Sequence, residues 1–247
     1  MSEAVRLADY AIWAVALALY AFDAGRRLGP RQLLLIEAAD GRLEPTLNES
    51  PFTARARAVA FAPLHRPHHG VFLASWGRPW ADAASIQPIL EALARFRASV
   101  RPARVLAGLG FALLFAVGPI LTLLLGPDAA VLYTAAALYP TTLAAVVWLW
   151  WRRRTFALGG GRAALLGIEM LVCPAFLPNL VRKLTASYRI EADGAQVALT
   201  LTQGEARAEF LTALERRMQA LLEDEDGLDT ADRAGLDAYL ATVRAAR

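Results

Sequence analysis

Three histidines fall within five residues, His65, His68 and His69 in His-Arg-Pro-His-His, and the chain has no others. Neutral imidazole is the commonest protein ligand for transition metals, so three in reach would hold a divalent metal such as zinc, copper or iron. Pro67 and Gly70 also frame the group as an exposed turn, where the same rings would simply be solvated. Glu169 offers a second chemistry. It lies inside Ala163 to Val181, a 19-residue stretch that is otherwise apolar except for Asn179. A carboxyl group in such a setting suggests a proton relay or a ligand site. Pairing with an arginine, or a place at headgroup level, is the plainer account. The lone cysteine, Cys173, has no histidine or second cysteine nearby in sequence and reads as a small buried hydrophobe. With one cysteine no intrachain disulfide can form.

The spacing of the histidines resembles one of the histidine boxes of membrane fatty-acid desaturases and hydroxylases. That resemblance covers five residues. Those enzymes hold a di-iron centre with several boxes, so the family is not assigned. A Gly-rich triplet, Gly159-Gly160-Gly161, is not followed by Gly-Lys-Ser/Thr and is no phosphate loop. Nucleophile elbow, zincin helix and dinucleotide fingerprint are all missing, and no paired carboxylates stand in an apolar setting. The motifs therefore lean away from an enzyme and imply no cofactor, unless the histidines take a metal.

The elements around these residues are dominated by two uncharged runs. Val105 to Gly126 is 22 residues without a charge, and Ala129 to Trp151 is 23 more. About 20 apolar residues suffice for one helical crossing of a bilayer. The pair is expected to form a transmembrane hairpin turning at Pro127 and Asp128. Gly108, Ala112 and Ala116 recur every four residues, a small-residue stripe of the kind that lets helices approach closely in lipid. Ala137, Thr141 and Ala145 would supply a matching face. Pro119 and Pro140 are expected to weaken their helices locally. Trp148, Trp150 and Trp151 form an aromatic belt, followed at once by Arg152, Arg153 and Arg154.

An earlier apolar segment, Leu7 to Phe22, has an uncharged core of only 13 residues, Tyr10 to Phe22. It reads as an uncleaved anchor over residues 7–24, with a signal peptide as the alternative. Tyr10, Trp13 and Tyr20 are expected at the two membrane interfaces. Segment 163–181, with Pro174 and Pro178 four apart, is expected to be re-entrant, in-plane or a fourth span.

The remaining segments read as soluble α+β structure. Gln32 to Ala38 and Arg42 to Leu47 flank Asp40-Gly41 as a hairpin, with further strands over Arg55 to Phe61 and Gly70 to Trp76. An amphipathic helix from Asp82 or Ser85 to about Val100 presents Ile86, Ile89, Leu90, Leu93, Phe96 and Val100 on one face. Tyr188 to Ala192 and Gln196 to Thr202 around Asp193-Gly194 read as a second hairpin. Helices over Glu205 to Leu222 and Thr230 to Ala246 complete the chain.

The chain has 247 residues, 56% of them hydrophobic, with a net charge of +3, which is too small to suggest nucleic acid. Its basic residues are 25 arginines and one lysine, Lys183; with abundant alanine this fits a bacterial chain. Arg26, Arg27, Arg101, Arg104 and Arg152 to Arg154 flank the apolar runs, whereas the hairpin turn has no base. Basic flanks mark the cytoplasmic side. The expected topology has the amino terminus outside, residues 25–104 inside, residues 105–151 as the hairpin, and 152–162 inside. Arg182 and Lys183 favour a cytoplasmic place for residues 182–247. The fold class expected is a membrane protein: an anchor helix, a helical hairpin and a small cytoplasmic α+β domain. The expected role is a non-catalytic accessory, assembly or scaffolding subunit of a bacterial inner-membrane complex, with protein partners or a homo-oligomer in the bilayer. The alternatives are a metal-dependent membrane protein using the three histidines, and a proton-coupled transport component centred on Glu169.

Overall fold

The computed structural model describes residues 9–47, 58–61, 64–223 and 230–245. The chain is mostly helical with a small three-stranded sheet, and it divides into two units.

The first unit holds residues 1–25, 61–69 and 96–185. Its first helix, α1 (Ala11–Ala24), has 14 residues, about 21 Å of rise, less than a full crossing. The chain rises from the end of α2 (Ala83–Ser99) into α3 (Arg101–Ala112), a five-residue π-helical stretch (Leu113–Val117) and α4 (Gly118–Leu125). The π turn stands immediately before α4, whose first turn contains Pro119, a residue with no N–H to give the preceding turn. The reversal falls on Gly126, at φ 85°, and Pro127 is already the first residue of α5 (Pro127–Arg152). The turn is thus one residue earlier and tighter than Pro127-Asp128: glycine takes the left-handed backbone, and proline suits the first helical position. Pro140 sits within α5, which continues through it.

Helices Arg101–Leu125 and α5, of 25 and 26 residues, are long and apolar enough to cross a membrane. Of their most apolar 18 residues only 22% and 33% are buried within the chain. Residues turned inward include Ala103, Ala107, Gly110, Leu114, Gly118 and Thr122 on one helix, and Ala130, Thr134, Leu138, Thr142, Ala145 and Leu149 on the other. Gly108 is half-buried with open space at its Cβ position, and Ala112 and Ala116 are exposed. The small stripe read from the sequence therefore does not make the contacts within the chain. The inward stripe lies two positions away and includes larger residues, which spacing of small residues alone overlooks.

Segment 163–181 is broken. It comprises α6 (Gly160–Val172), a 3-10 turn (Pro174–Asn179) and the start of α7 (Leu180–Ser187). The 3-10 turn is the hub of this unit, contacted by α1, α3, α5 and α6. Ala175, Leu177, Pro178 and Asn179 are buried in it, and a Cβ on Gly110 would come within 2.8 Å of Leu177 Cδ2. Trp13 and Tyr20, expected at interfaces, also point inward. Trp13 covers Gly118, where a Cβ would overlap its ring, and donates from Nε1 to Thr122 Oγ1 at 2.9 Å. Tyr20 is fully buried against Phe111 and Phe115.

The second unit holds residues 26–60, 70–95 and 186–247. Strands β2 (Gln32–Glu37), β3 (Leu43–Thr46) and β5 (Val71–Ser75) form an antiparallel sheet in the order β3-β2-β5, with Leu35 opposite Pro45 and Phe72. Strand β1 (Gly25–Leu28) pairs with β4 (Ala58–Phe61), and Arg55 and Arg57 lie outside the described residues. The Asp193-Gly194 hairpin is not formed. Asp193 instead caps α8 (Gly194–Leu201), its Oδ1 accepting from Ala195 N and Gln196 N at 3.0 Å. Asp-Gly serves equally as a tight turn or as a helix cap with its first residue, and Ala195, Val197, Ala198 and Leu199 bury a helical face. The helix rests on the sheet, and a Cβ on Gly194 would sit 2.8 Å from Ala74 Cβ. The described part of residues 182–247 is thus helical, completed by α9 (Gly204–Glu223) and α10 (Thr230–Ala245), which bury Phe210, Leu214 and Met218, and Leu236, Tyr239, Leu240 and Val243.

Candidate functional site

The chain's one lysine is buried between two carboxylates. Lys183 Nζ lies 3.0 Å from Asp23 Oδ1 and 2.9 Å from Glu169 Oε2, with the Phe176 ring 4.9 Å away on a third side. Three elements bring these groups together. Asp23 comes from the last turn of α1, Glu169 from α6 and Lys183 from α7. The helix break makes this possible: the 3-10 turn reverses the chain so that residues 14 apart in sequence meet.

A second cation adjoins them. Arg182 is 2% exposed. Its Nη1 donates to Asn179 Oδ1 at 2.7 Å and to Tyr20 Oη at 3.0 Å, and Nη2 donates to Arg66 O at 3.2 Å. Asn179 Nδ2 donates to Tyr20 O and to Asp23 Oδ2, linking the two halves. Tyr20 Oη donates in turn to Leu64 O. The cluster holds two acids and two bases, so its formal charge is zero. Each charge has an opposite charge or several dipoles against it, which is the condition for burying ions without a prohibitive desolvation penalty. Chemically it can do two things. It can tie α1, α6, α7 and the 64–66 loop together, or it can pass a proton between Glu169, Lys183 and Asp23.

Glu169 was legible in the sequence; its partners were not. Arg182 and Lys183 read as basic flanks because they follow an apolar run. The missed signal is composition: the one lysine among 25 arginines stands at this position, and a compact ammonium is not interchangeable with a planar guanidinium. Asn179 beside Pro178, within otherwise apolar sequence, was a second clue.

The histidines do not converge. His65 and His68 are exposed, while His69 is 8% exposed with its ring centroid 4.6 Å from that of His68, edge to face. Among the described residues no three of His, Cys, Asp and Glu come together to hold a metal ion. Cys173, half-buried, ends α6. Arg101, Arg152 and Arg154 are exposed and Arg104 is half-buried; the side chains of Arg26 and Arg27 lie outside what the structure describes. Arg153 stacks over Trp150 at 4.4 Å and donates to its carbonyl at 2.9 Å. Trp148 packs inward on Phe156, leaving Trp150 and Trp151 exposed.

The second unit has its own buried polar node. Asp193 accepts Tyr239 Oη at 2.6 Å and Arg78 N at 2.9 Å in addition to its capping bonds. Burial, then the adjacent Asp193 carboxylate, pushes the Tyr239 hydroxyl far above its ordinary range, so it stays a donor. This node joins a loop and two helices by neutral donors and reads as structural.

Comparison with models of protein families, with curated proteins and with solved structures gives no match.

Proposed function

We propose that this protein is a non-catalytic, membrane-embedded accessory or assembly subunit of a bacterial inner-membrane complex. One observation carries the reading: helices of 25 and 26 residues keep apolar side chains such as Val105, Ile120, Leu123, Leu132, Leu143 and Val147 exposed, with charges confined to their ends. A soluble core helix would bury that surface. Irregular backbone at membrane depth is tolerated where protein covers it, and the 3-10 turn is covered in this way. The basic flanks support an outside amino terminus, with residues 25–104 and 152–162 inside. Helix α8 packs on the β2-β3-β5 sheet, which supports the same cytoplasmic side for residues 186–247. In that topology segment 160–185 enters and leaves on one side. The buried charges then act as the clamp that holds this re-entrant piece. Affinity purification from native membranes tests the role: a stoichiometric protein partner or a homo-oligomer is expected, and a monomer with none sinks it. A carboxyl-terminal reporter active only outside the cytoplasm would overturn the topology.

The Asp23–Lys183–Glu169 arrangement favours one second reading, a proton-coupled component centred on Glu169. Three apolar helical segments are few for a transporter, so this reading calls for an oligomer. In proteoliposomes carrying a pH-sensitive dye, wild type would move protons and Glu169→Gln would not. Equal traces from both would remove it.

A further inference from the structure

The carboxyl end of α5 carries an open depression of about 530 Å³ lined by Val147, Trp150, Trp151, Arg153 and Arg154. Its chemistry is one-sided. From Ala129 to Ile168 the chain has no acidic residue, and Arg152, Arg153, Arg154 and Arg162 are its charges. Trp150 and Trp151 are 47% and 82% exposed, large values for indoles beside so much apolar surface. Arg153 is held in advance: stacked on the Trp150 ring and bonded to the Trp150 carbonyl, it has fewer rotamers to lose when an anion arrives. A guanidinium fork matches a phosphate, and an adjacent second one reinforces it.

The depression opens onto an apolar line. Leu132, Tyr139, Leu143 and Trp150 recur at helical spacing along one face of α5, and the first three are 67%, 49% and 54% exposed. From Tyr139 to Trp150 the helix rises about 16 Å, roughly the depth of one leaflet of a ~30 Å hydrocarbon core. A free phosphate would use only the arginines. The arginines and the line together fit a molecule with an anionic head and a chain about one leaflet long.

We propose that this face binds an anionic phospholipid, its phosphate against Arg153 and Arg154, its headgroup region against Trp150 and Trp151, and one acyl chain along Leu143 and Tyr139. The proposal rests on the membrane reading above. The juxtaposition of prearranged arginine, exposed indoles and an acid-free chain adds a particular lipid class to it.

The test uses the full chain purified in mild detergent. Native mass spectrometry is run with phosphatidylglycerol, with phosphatidylcholine, and with inorganic phosphate as competitor. One phosphatidylglycerol per chain is expected, at least tenfold preferred over phosphatidylcholine and not displaced by phosphate. Each arginine near an anionic headgroup is worth about fivefold, so Arg153→Gln with Arg154→Gln should weaken retention about twenty-five-fold. Arg154→Gln alone, on an exposed side chain, should weaken it about fivefold and serves if the double variant does not fold. Arg42→Gln, an exposed residue of the second unit that does not line the depression, should change nothing. Equal retention of the two lipids, undiminished preference in the arginine variants, or displacement by phosphate would each overturn the lipid site. A chain that stays dispersed in plain buffer would overturn the membrane reading as well, whereas a detergent-dependent chain with no lipid preference would overturn the site alone.

Discussion

The two buried polar nodes solve the same problem with different chemistry. Around Asp193, one charge is surrounded by neutral donors, two from its own helix, one from a loop and one tyrosine hydroxyl. Around Lys183, charges are set against charges drawn from α1, α6 and α7. The first node is half local, and its loss frees a helix end. The second is wholly tertiary, and its loss leaves like charges facing one another. A cap of dipoles should therefore fail gently, whereas an ion cluster should fail sharply when only one member is removed and recover when the charge balance is restored.

Removing the central cation is the severest way to probe that difference. Lys183→Met leaves Asp23 and Glu169 facing each other without their counter-ion, and is expected to destabilise the protein by about 3 kcal/mol, read from thermal unfolding in detergent. Adding Glu169→Gln to that variant leaves one acid, Asp23, and one base, Arg182, and should restore more than half of the loss. If that double variant is no better than the single one, charge balance is not what the cluster requires. Asp193→Ala comes next, at about 2 kcal/mol, because it removes a cap and leaves Tyr239 without its acceptor. Asp193→Asn should cost distinctly less. A loss larger than that of Lys183→Met would reverse the comparison.

Packing separates the nodes from their scaffolding. Gly118→Val puts methyl groups where the Trp13 ring lies, with an expected loss of about 1–3 kcal/mol and easier proteolysis of α1. Wild-type protease resistance would show that α1 does not dock there.

Alkaline pH distinguishes the neutral node specifically. The folded-state ionisation of Tyr239 is raised above the unfolded value near 10, by burial first and by Asp193 second. Its contribution is therefore fully present below about pH 10. It declines above that, as the unfolded chain gains from ionising while the folded one does not. The slope attributable to this residue is at most about 1.4 kcal/mol per pH unit. Tyr239→Phe should lose that part of the decline between pH 9 and 11; identical curves would mean that Tyr239 ionises freely. The smallest effect is reserved for an exposed pair. Arg244 Nε lies 2.6 Å from Glu215 Oε1, yet Arg244→Gln should shift stability by no more than about 0.5 kcal/mol, because solvent screens the pair.

Much of the fold follows from local pattern. The two long apolar helices, β2, β3 and β5, the amphipathic face of α2 and the last two helices all come from periodicities of a few residues, which reach no further than one element. Asp193-Gly194 shows where local pattern is ambiguous: the same dipeptide begins a helix or turns a hairpin, and the sheet surface beneath it selected the helix. Trp13 and Tyr20 show a different limit, since an aromatic at a helix end suits an interface or a core equally well, and only the neighbouring helix decides.

Sequence alone was enough for the apolar helical pair, the break at Pro174 and Pro178, and the singular carboxyl at Glu169, because hydropathy and backbone restriction are properties of neighbouring residues. That Lys183 joins Glu169 to Asp23, and that Arg182 lies under Tyr20, was decided by tertiary structure. These partners are separated by as many as 162 residues, and an ion pair depends on distance in space, which no spacing along the chain encodes.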